Sequence, residues 1–277
     1  MTRILVTGAT GFVGRQIIRA LGSADVKLLP VVRTGKEDEV VGLSNIESVI
    51  STNDLFSESE SWWEQHCHGI DVVIHAAWYA EPGKYLQAPQ NIDCLIGSLR
   101  LAKGAAKSGV KRFVGIGTCF EYDLAQGVLS VDTPLKPLTV YAACKASLYL
   151  TLSQWWLPSQ SSGFVWCRLF YLFGEGEDER RLVPYIRKQL ENGKPANLTS
   201  GQQIRDFMDV AIAGRTIAEI ALSDRIGPFN ICSGLPITVR QLAEQIADEY
   251  GEKDLLKFGA RPENLVDPPC ILGVPNA

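Results

Sequence analysis

The strongest constraint on this chain is an alternation of short apolar runs with segments of helical period. Residues 3–7 form a β-branched run that ends in a glycine cluster, which reads as a buried strand. Residues 12–21 then carry helical spacing, with Gly22 placed to stop the helix. The pattern repeats, with strands at 26–32, 46–50, 71–75, 112–116 and 164–170 and helices at 57–68, 91–108 and 140–157. Pro30 removes one ladder donor from the second of these strands. Strands joined by helices predict parallel βαβ units, and so an α/β chain built on a doubly wound parallel sheet.

The pattern changes after Gly174, where residues 175–181 form a charged, glycine-containing loop. Shorter elements follow: helices at 182–192 and 209–222, and another opening at Thr238, with Gln241 at capping-box spacing. The 277 residues accommodate one large domain or two modest ones. We divide them into a first domain at 1–174 and a smaller, partly interleaved lobe at 175–277. A formal net charge of -4 gives no electrostatic footprint for nucleic acid or anionic membranes. No window approaches the roughly 20 apolar residues of a membrane helix, and no leader-like segment precedes the first strand. The seven cysteines (Cys67, Cys94, Cys119, Cys144, Cys167, Cys232 and Cys270) form no paired pattern, which predicts reduced thiols and the cytoplasm. Adjacent residues such as His66-Cys67-His68 do not easily face one ion, so no metal site is expected.

Gly8-Ala9-Thr10-Gly11-Phe12-Val13-Gly14 follows the first strand and opens the first helix. Glycine there lets the backbone turn and approach a pyrophosphate, while the helix N-terminus attracts the anion. Gly8, Gly11, Phe12, Val13 and Gly14 are therefore candidate dinucleotide contacts, and the fold reads as Rossmann-type. The end of the second strand selects the adenosine ribose: a carboxylate holds the 2′-hydroxyl of NAD, an arginine the 2′-phosphate of NADP. Here Val32-Arg33-Thr34-Gly35-Lys36 supplies Arg33 and no carboxylate before Glu37. NADP(H) is favoured, with NAD(H) the alternative.

Tyr141-Ala142-Ala143-Cys144-Lys145 places a phenol and an ammonium on one helix face. A free tyrosine, with a pKa of about 10, is a poor proton shuttle near neutrality. A neighbouring cation draws that value down, so Lys145 is expected to tune Tyr141.

With these motifs in order, the chain resembles the extended short-chain dehydrogenase/reductases, particularly the nucleotide-sugar epimerase/dehydratase/reductase group. Asp54-Leu55 is similar to the family's adenine-contacting pair. Asp71-Val72-Val73-Ile74-His75-Ala76-Ala77 resembles the fourth-strand signature, which implies that His75, Ala76 and Ala77 line the cofactor. Asn91 opens a helix as the family's asparagine does. Gly117-Thr118-Cys119-Phe120-Glu121-Tyr122 matches the segment that carries the catalytic serine or threonine. The resemblance implies that Thr118 binds the reacting oxygen, Tyr141 transfers the proton as hydride moves between cofactor and sugar, and Lys145 grips the nicotinamide ribose. Gln203-Ile204-Arg205-Asp206-Phe207 is similar to a segment whose arginine, here Arg205, meets the substrate diphosphate. Arg261-Pro262 resembles a position near the nucleotide, and Leu182-Val183-Pro184 a stretch lining its pocket. Arginine suits phosphate because its planar fork binds oxygens in pairs. Tyr171 stands where the family carries a substrate-contacting asparagine.

The same resemblance narrows the reaction. In 4,6-dehydratases the catalytic threonine is followed by Asp and Glu; Cys119 and Phe120 stand there instead. Fucose-synthase-type enzymes use a Cys two residues after the catalytic one and a distant His; Cys119 is one residue early, and no histidine follows His75. Two redox chemistries remain, a 4-epimerase with tightly held NAD and a 4-ketoreductase consuming NADPH on a nucleotide-linked 4-keto-6-deoxyhexose. Arg33 and the local resemblance of residues 201–207 and 258–260 to CDP-abequose-synthase-like reductases favour the ketoreductase. A non-catalytic dinucleotide sensor on the same fold is a third reading, against which the chain keeps both Tyr141 and Lys145. Relatives pair through the helices near Asn91 and Tyr141, which implies a homodimer. They also continue past Val274-Pro275-Asn276-Ala277 into another helix, so a clipped C-terminus is expected.

Overall fold

The computed structural model describes residues 1–159, 163–264 and 267–277. The chain begins with β1 (Thr2–Thr7), α1 (Phe12–Leu21), β2 (Val26–Arg33), β3 (Ile50–Thr52), α2 (Glu60–His66), β4 (Val72–His75), α3 (Gln90–Lys107) and β5 (Arg112–Thr118). It continues through β6 (Val128–Leu129), α4 (Val140–Ser159), β7 (Phe164–Leu169), β8 (Tyr171–Phe173), α5 (Leu182–Glu191), β9 (Ala196–Asn197) and β10 (Ile204–Asp209). It ends with α6 (Val210–Leu222), β11 (Gly227–Ile231), β12 (Pro236–Thr238), α7 (Val239–Tyr250), β13 (Leu256–Lys257) and β14 (Cys270–Gly273).

One parallel sheet runs β11-β7-β5-β4-β1-β2-β3. Its strands are apolar almost throughout because both faces are covered. On one face Ile4, Val6 and Val114 pack with Ile17 of α1 and Ile217 of α6. On the other, Leu5, Val73 and Phe113 pack with Trp63, Leu101, Leu148 and Trp156 from α2, α3 and α4. A smaller sheet, β12-β10-β14-β6 with β8 beside β10, and the α5–α7 pair form a second lobe over the carboxyl ends of the large sheet's strands. The lobes interleave: α6 and β11 return to the large sheet, while β6 leaves early to join the small one.

Pro30 sits within β2 without breaking it. Leu28 N–H donates to Asn45 on the outer side, so the absent N–H at position 30 faces that side too. The β3 ladder begins only at Val31 and Ile50, so no bond is lost. The run at 46–50 contributes less strand than its composition predicts. Ile46 makes an isolated bridge to Leu28 and Ile50 opens β3, with no strand at 47–49; ahead of the run Asn45 turns the chain at φ 66° and is tied to the Gly22 and Ala24 carbonyls.

Candidate active site

β1 ends at the point where strand order reverses, between β1 and β4, and a crevice opens there in sheets of this kind. Gly8 occupies φ 70°, and a side chain on it would strike the Ala76–Ala77 backbone. A Cβ on Gly14 would strike the Gly8 carbonyl, so this spacing allows α1 to start hard against the strand. Gly11, the N-cap of α1, makes no side-chain capping bond. Gly11, Phe12, Val13 and Gly14 line a cavity of about 470 Å³. A bare helix N-terminus against glycine backbone is a cradle that fits the pyrophosphate of a dinucleotide.

The same cavity is lined by Thr118 at the end of β5 and by Tyr141 and Lys145 from the first turns of α4. Burial pushes the Tyr141 phenol above its ordinary value and Tyr85 adds to this, while the Thr118 hydroxyl opposes it. The ring of Tyr85 meets that of Tyr141 edge-on at 4.8 Å. Lys145 donates to the Ile116 carbonyl at 2.6 Å, and its ammonium lies 3.8 Å over the Trp78 ring. Burial lowers Lys145 to about 7, against the pull of Glu121. The expected tuning of Tyr141 by Lys145 is therefore not the arrangement seen: the ammonium is engaged by a carbonyl and an indole face, and burial governs the phenol.

The remaining candidates divide into those the cavity gathers and those it does not. Ala76 and Tyr171 line it. His75 does not: it is buried, bridging Thr7 Oγ1 at 2.8 Å and Ser98 Oγ at 2.7 Å. Ala77 lies behind Gly8, its N–H on Thr7 Oγ1. Asn91 is also a strut, accepting from Trp78 Nε1 and donating to the Tyr85 and Ala88 carbonyls. It holds in place the indole on which Lys145 rests. Arg33 is exposed at the end of β2, and among the described residues its guanidinium makes no ion pair. Glu37, the first carboxylate after it, accepts from Ser51 Oγ. Asp54 is turned onto its own loop, accepting from Phe56 N–H and Ser57 Oγ, with Leu55 half-buried against the α2–α4 layer.

In the second lobe Val183 is a core residue of α5. Arg205 is buried, 2.6 Å from Asp267 at an angle that makes no directed hydrogen bond, and 5.4 Å from the Tyr171 ring. Arg261 is exposed and lies over the Tyr185 ring at 4.5 Å. Neither arginine lines the cavity itself.

Sequence reasoning missed several of the lining residues: Trp78, Tyr85, Glu177 and Arg181, with Cys119 and Phe120 present in person rather than as replacements. Glu177 has one carboxylate oxygen buried without a partner, and burial raises it to about 7. Two loops close over this region, joined by Arg180 to Glu81 at 3.5 Å, while Arg19 of α1 holds Glu175 in a paired bond. Among the described residues no group of three or more His, Cys, Asp or Glu is placed to hold a metal, and Cys67 is packed into the core beside Trp63.

The sequence profile of the NAD dependent epimerase/dehydratase family matches residues 4–231, from the first strand to β11. The chain belongs to this family. Across 273 residues, 98% of either chain, it is 24% identical to the dTDP-6-deoxy-L-talose 4-dehydrogenase (NAD(+)) of Aggregatibacter actinomycetemcomitans. It is 25% identical to the CDP-abequose synthase of Salmonella typhimurium strain LT2 over 93% of this chain and 84% of that one. Among solved structures it is similar to a UDP-N-acetylglucosamine 4-epimerase from Methanobrevibacter ruminantium M1 in complex with UDP-N-acetylmuramic acid. The TM-score is 0.85 at 25% identity, covering 99% of this chain and 89% of that one. The family members it resembles are nucleotide-sugar epimerases, dehydratases and dehydrogenases, so this chain is an enzyme of that type. Among the described residues, no helix is long and apolar enough to cross a membrane.

Proposed function

We propose that this enzyme reduces a nucleotide-diphosphate-linked 4-keto-6-deoxyhexose at C4, with NADP(H) favoured over NAD(H). The observation that carries the reading is the convergence of Thr118, Tyr141 and Lys145 on the cavity that the α1 N-terminus opens into. When bound, the reduced nicotinamide supplies the hydride. Thr118 holds the ketone oxygen, and Tyr141 gives it a proton. A phenol whose pKa is pushed up by burial stays protonated at neutral pH, which suits a proton donor in the reductive direction. Lys145 holds the nicotinamide ribose. Cys119 and Phe120 at the cavity wall offer no acid–base pair for dehydration, since burial keeps the Cys119 thiol neutral.

Arg33, exposed beside the crevice, supports the 2′-phosphate reading, while Asp54 and Leu55 stand near the adenine end. In the second lobe Tyr171, Val183, Arg205 and Arg261 are proposed to face the nucleotide diphosphate; Arg205 does so by exchanging Asp267 for phosphate. The exposed faces of α3 and α4 support a homodimer, and the cytoplasm is the proposed compartment. A second reading, a 4-epimerase that retains NAD, is favoured by the likeness to the Methanobrevibacter ruminantium 4-epimerase over nearly the whole chain.

Oxidation of NADPH and NADH with a panel of nucleotide-linked 4-ketosugars tests the proposal. Interconversion of C4 epimers by protein purified with bound NAD would support the epimerase instead. Tyr141→Phe should bind cofactor within about twofold of wild type and lose at least about 100-fold in turnover. Retained turnover in that variant would remove Tyr141 from the mechanism.

A further inference from the structure

Beneath the floor of the cavity lies a charged pair that none of these roles uses. Glu121 and Arg168 are fully buried, and Arg168 Nε meets Glu121 Oε2 at 2.7 Å. The guanidinium lies between the rings of Tyr122 and Tyr149, 4.7 and 4.3 Å from their centroids. It donates to the Tyr122 hydroxyl, which in turn donates to Asn230. Removing such a pair from water costs several kcal/mol per ion, and apolar residues of similar volume usually do as well. Stability alone is a poor reason for its presence.

The direction of the carboxylate supplies a better one. Glu121 Oε1 accepts the Thr118 N–H at 2.8 Å, and both oxygens accept from Trp166 Nε1 at 3.1 Å. The Thr118 hydroxyl accepts in turn from Phe120 N–H, so the turn after β5 is tied from both ends. A Cβ built on Gly117 would strike Glu121 Oε1, which places the carboxylate directly against the backbone between Ile116 and Thr118. Lys145 is bonded to the carbonyl of that same Ile116.

We propose that Glu121 is a positioning residue for the site: clamped by Arg168, its carboxylate fixes the Thr118 backbone and balances the charge of Lys145 across the end of β5. The groups facing Lys145 from the surrounding elements support this. Its own helix presents Tyr141, which burial keeps protonated. From α3 comes Cys94, a thiol pushed up to about 11 by burial, and from β4 comes His75, held down to about 3. The loop after β4 presents the uncharged face of Trp78. Glu121 is the carboxylate in this set, and its field favours the ammonium against burial.

The inference rests on Thr118 and Lys145 acting as proposed above, and the test separates the two. Lysine carrying ¹³C at Cε is incorporated into the full chain, and the Lys145 signal, assigned by its loss in Lys145→Met, is titrated without cofactor. Wild type should inflect near 7, and Glu121→Gln at least about one pH unit lower. At the acid end of the profile, where Lys145 is charged in both proteins, Glu121→Gln should still lose at least about tenfold in kcat, because Thr118 is no longer held. If Glu121→Gln does not fold, Glu121→Gln/Arg168→Met supplies the kcat readout and should show the same loss at the acid end, while removal of the opposing cation offsets part of the change at Lys145. An unmoved inflection, or full kcat at the acid end, overturns the proposal. Absence of turnover in wild type with every sugar, alongside a shifted inflection, sinks the ketoreductase reading and leaves the charge balance standing.

Discussion

His75 Nε2 lies beside a Ser98 hydroxyl whose own proton goes to the Cys94 carbonyl. The ring must therefore donate through Nε2 and accept from Thr7 through Nδ1, which is the neutral tautomer. Burial, with Lys145 nearby, holds the folded pKa down to about 3 from an ordinary 6.5. The unfolded chain takes up a proton below pH 6.5 that the folded one refuses, so the stability is complete above that value. It is lost as pH falls from 6.5 towards 3, by about 1.4 kcal/mol per pH unit. His75→Gln removes this contribution. Urea unfolding between pH 4 and 7 should give wild type a steeper decline than the variant by that amount, and parallel declines would refute it. The residue belongs to a recognisable motif and still touches no cavity surface, which is why motif membership alone misplaced it.

At the level of elements, Asp206 opens a comparable gap between motif and role. It follows Arg205 in β10 and is fully buried, accepting from Ser233 N–H and Oγ, Gly234 N–H and Gly273 N–H. One carboxylate thus gathers the segments around β11, β12 and β14. Asp206→Ala strands at least three backbone donors, each worth about 1 kcal/mol or more when buried unpaired. A loss of about 3 kcal/mol should lower Tm by about 6–12 °C, measurable by thermal unfolding; an unchanged Tm would show that water replaces the carboxylate. The long elements were legible because 10 to 20 residues of helix carry several turns of periodicity: α1 has the predicted bounds, and α7 has both halves of the capping box at Thr238 and Gln241. The two- and three-residue strands of the second lobe carry no period to read. Within the site, the glycine turn and the Tyr141–Lys145 pair were legible as local spacings. Glu121 and Arg168 were not, since they are 47 residues apart and meet only because β5 and β7 are neighbours. A lone arginine in the apolar run 164–170 was the available signal, because a buried charge requires a partner.

For the molecule as a whole, α3 and α4 pack on one another and on the large sheet, yet both carry apolar residues outward as well. Ile92 and Ile96 on α3 are about half exposed, as are Leu150 and, to a lesser degree, Trp155 on α4. Large apolar side chains clustered on neighbouring helices mark an interaction surface more often than scattered single ones do. A net charge of -4 on 277 residues offers little repulsion against a second copy. Pairing of α3 and α4 with their counterparts would cover these residues by a self-complementary interface, the arrangement most homodimers use. The consequence reaches the active site, because Tyr141 and Lys145 sit in the first turns of the helix that carries Leu150 and Trp155. We therefore expect wild type to sediment as a dimer at micromolar concentration, and Ile96→Glu/Leu150→Glu to sediment as a monomer. Placing two carboxylates in an apolar interface costs enough to dissociate it. The monomer should keep the fold of the large sheet but lose several-fold in kcat, as α4 no longer has a partner to hold its outer face. A wild-type monomer at that concentration would refute the interface, and a monomeric variant with full kcat would uncouple it from the chemistry.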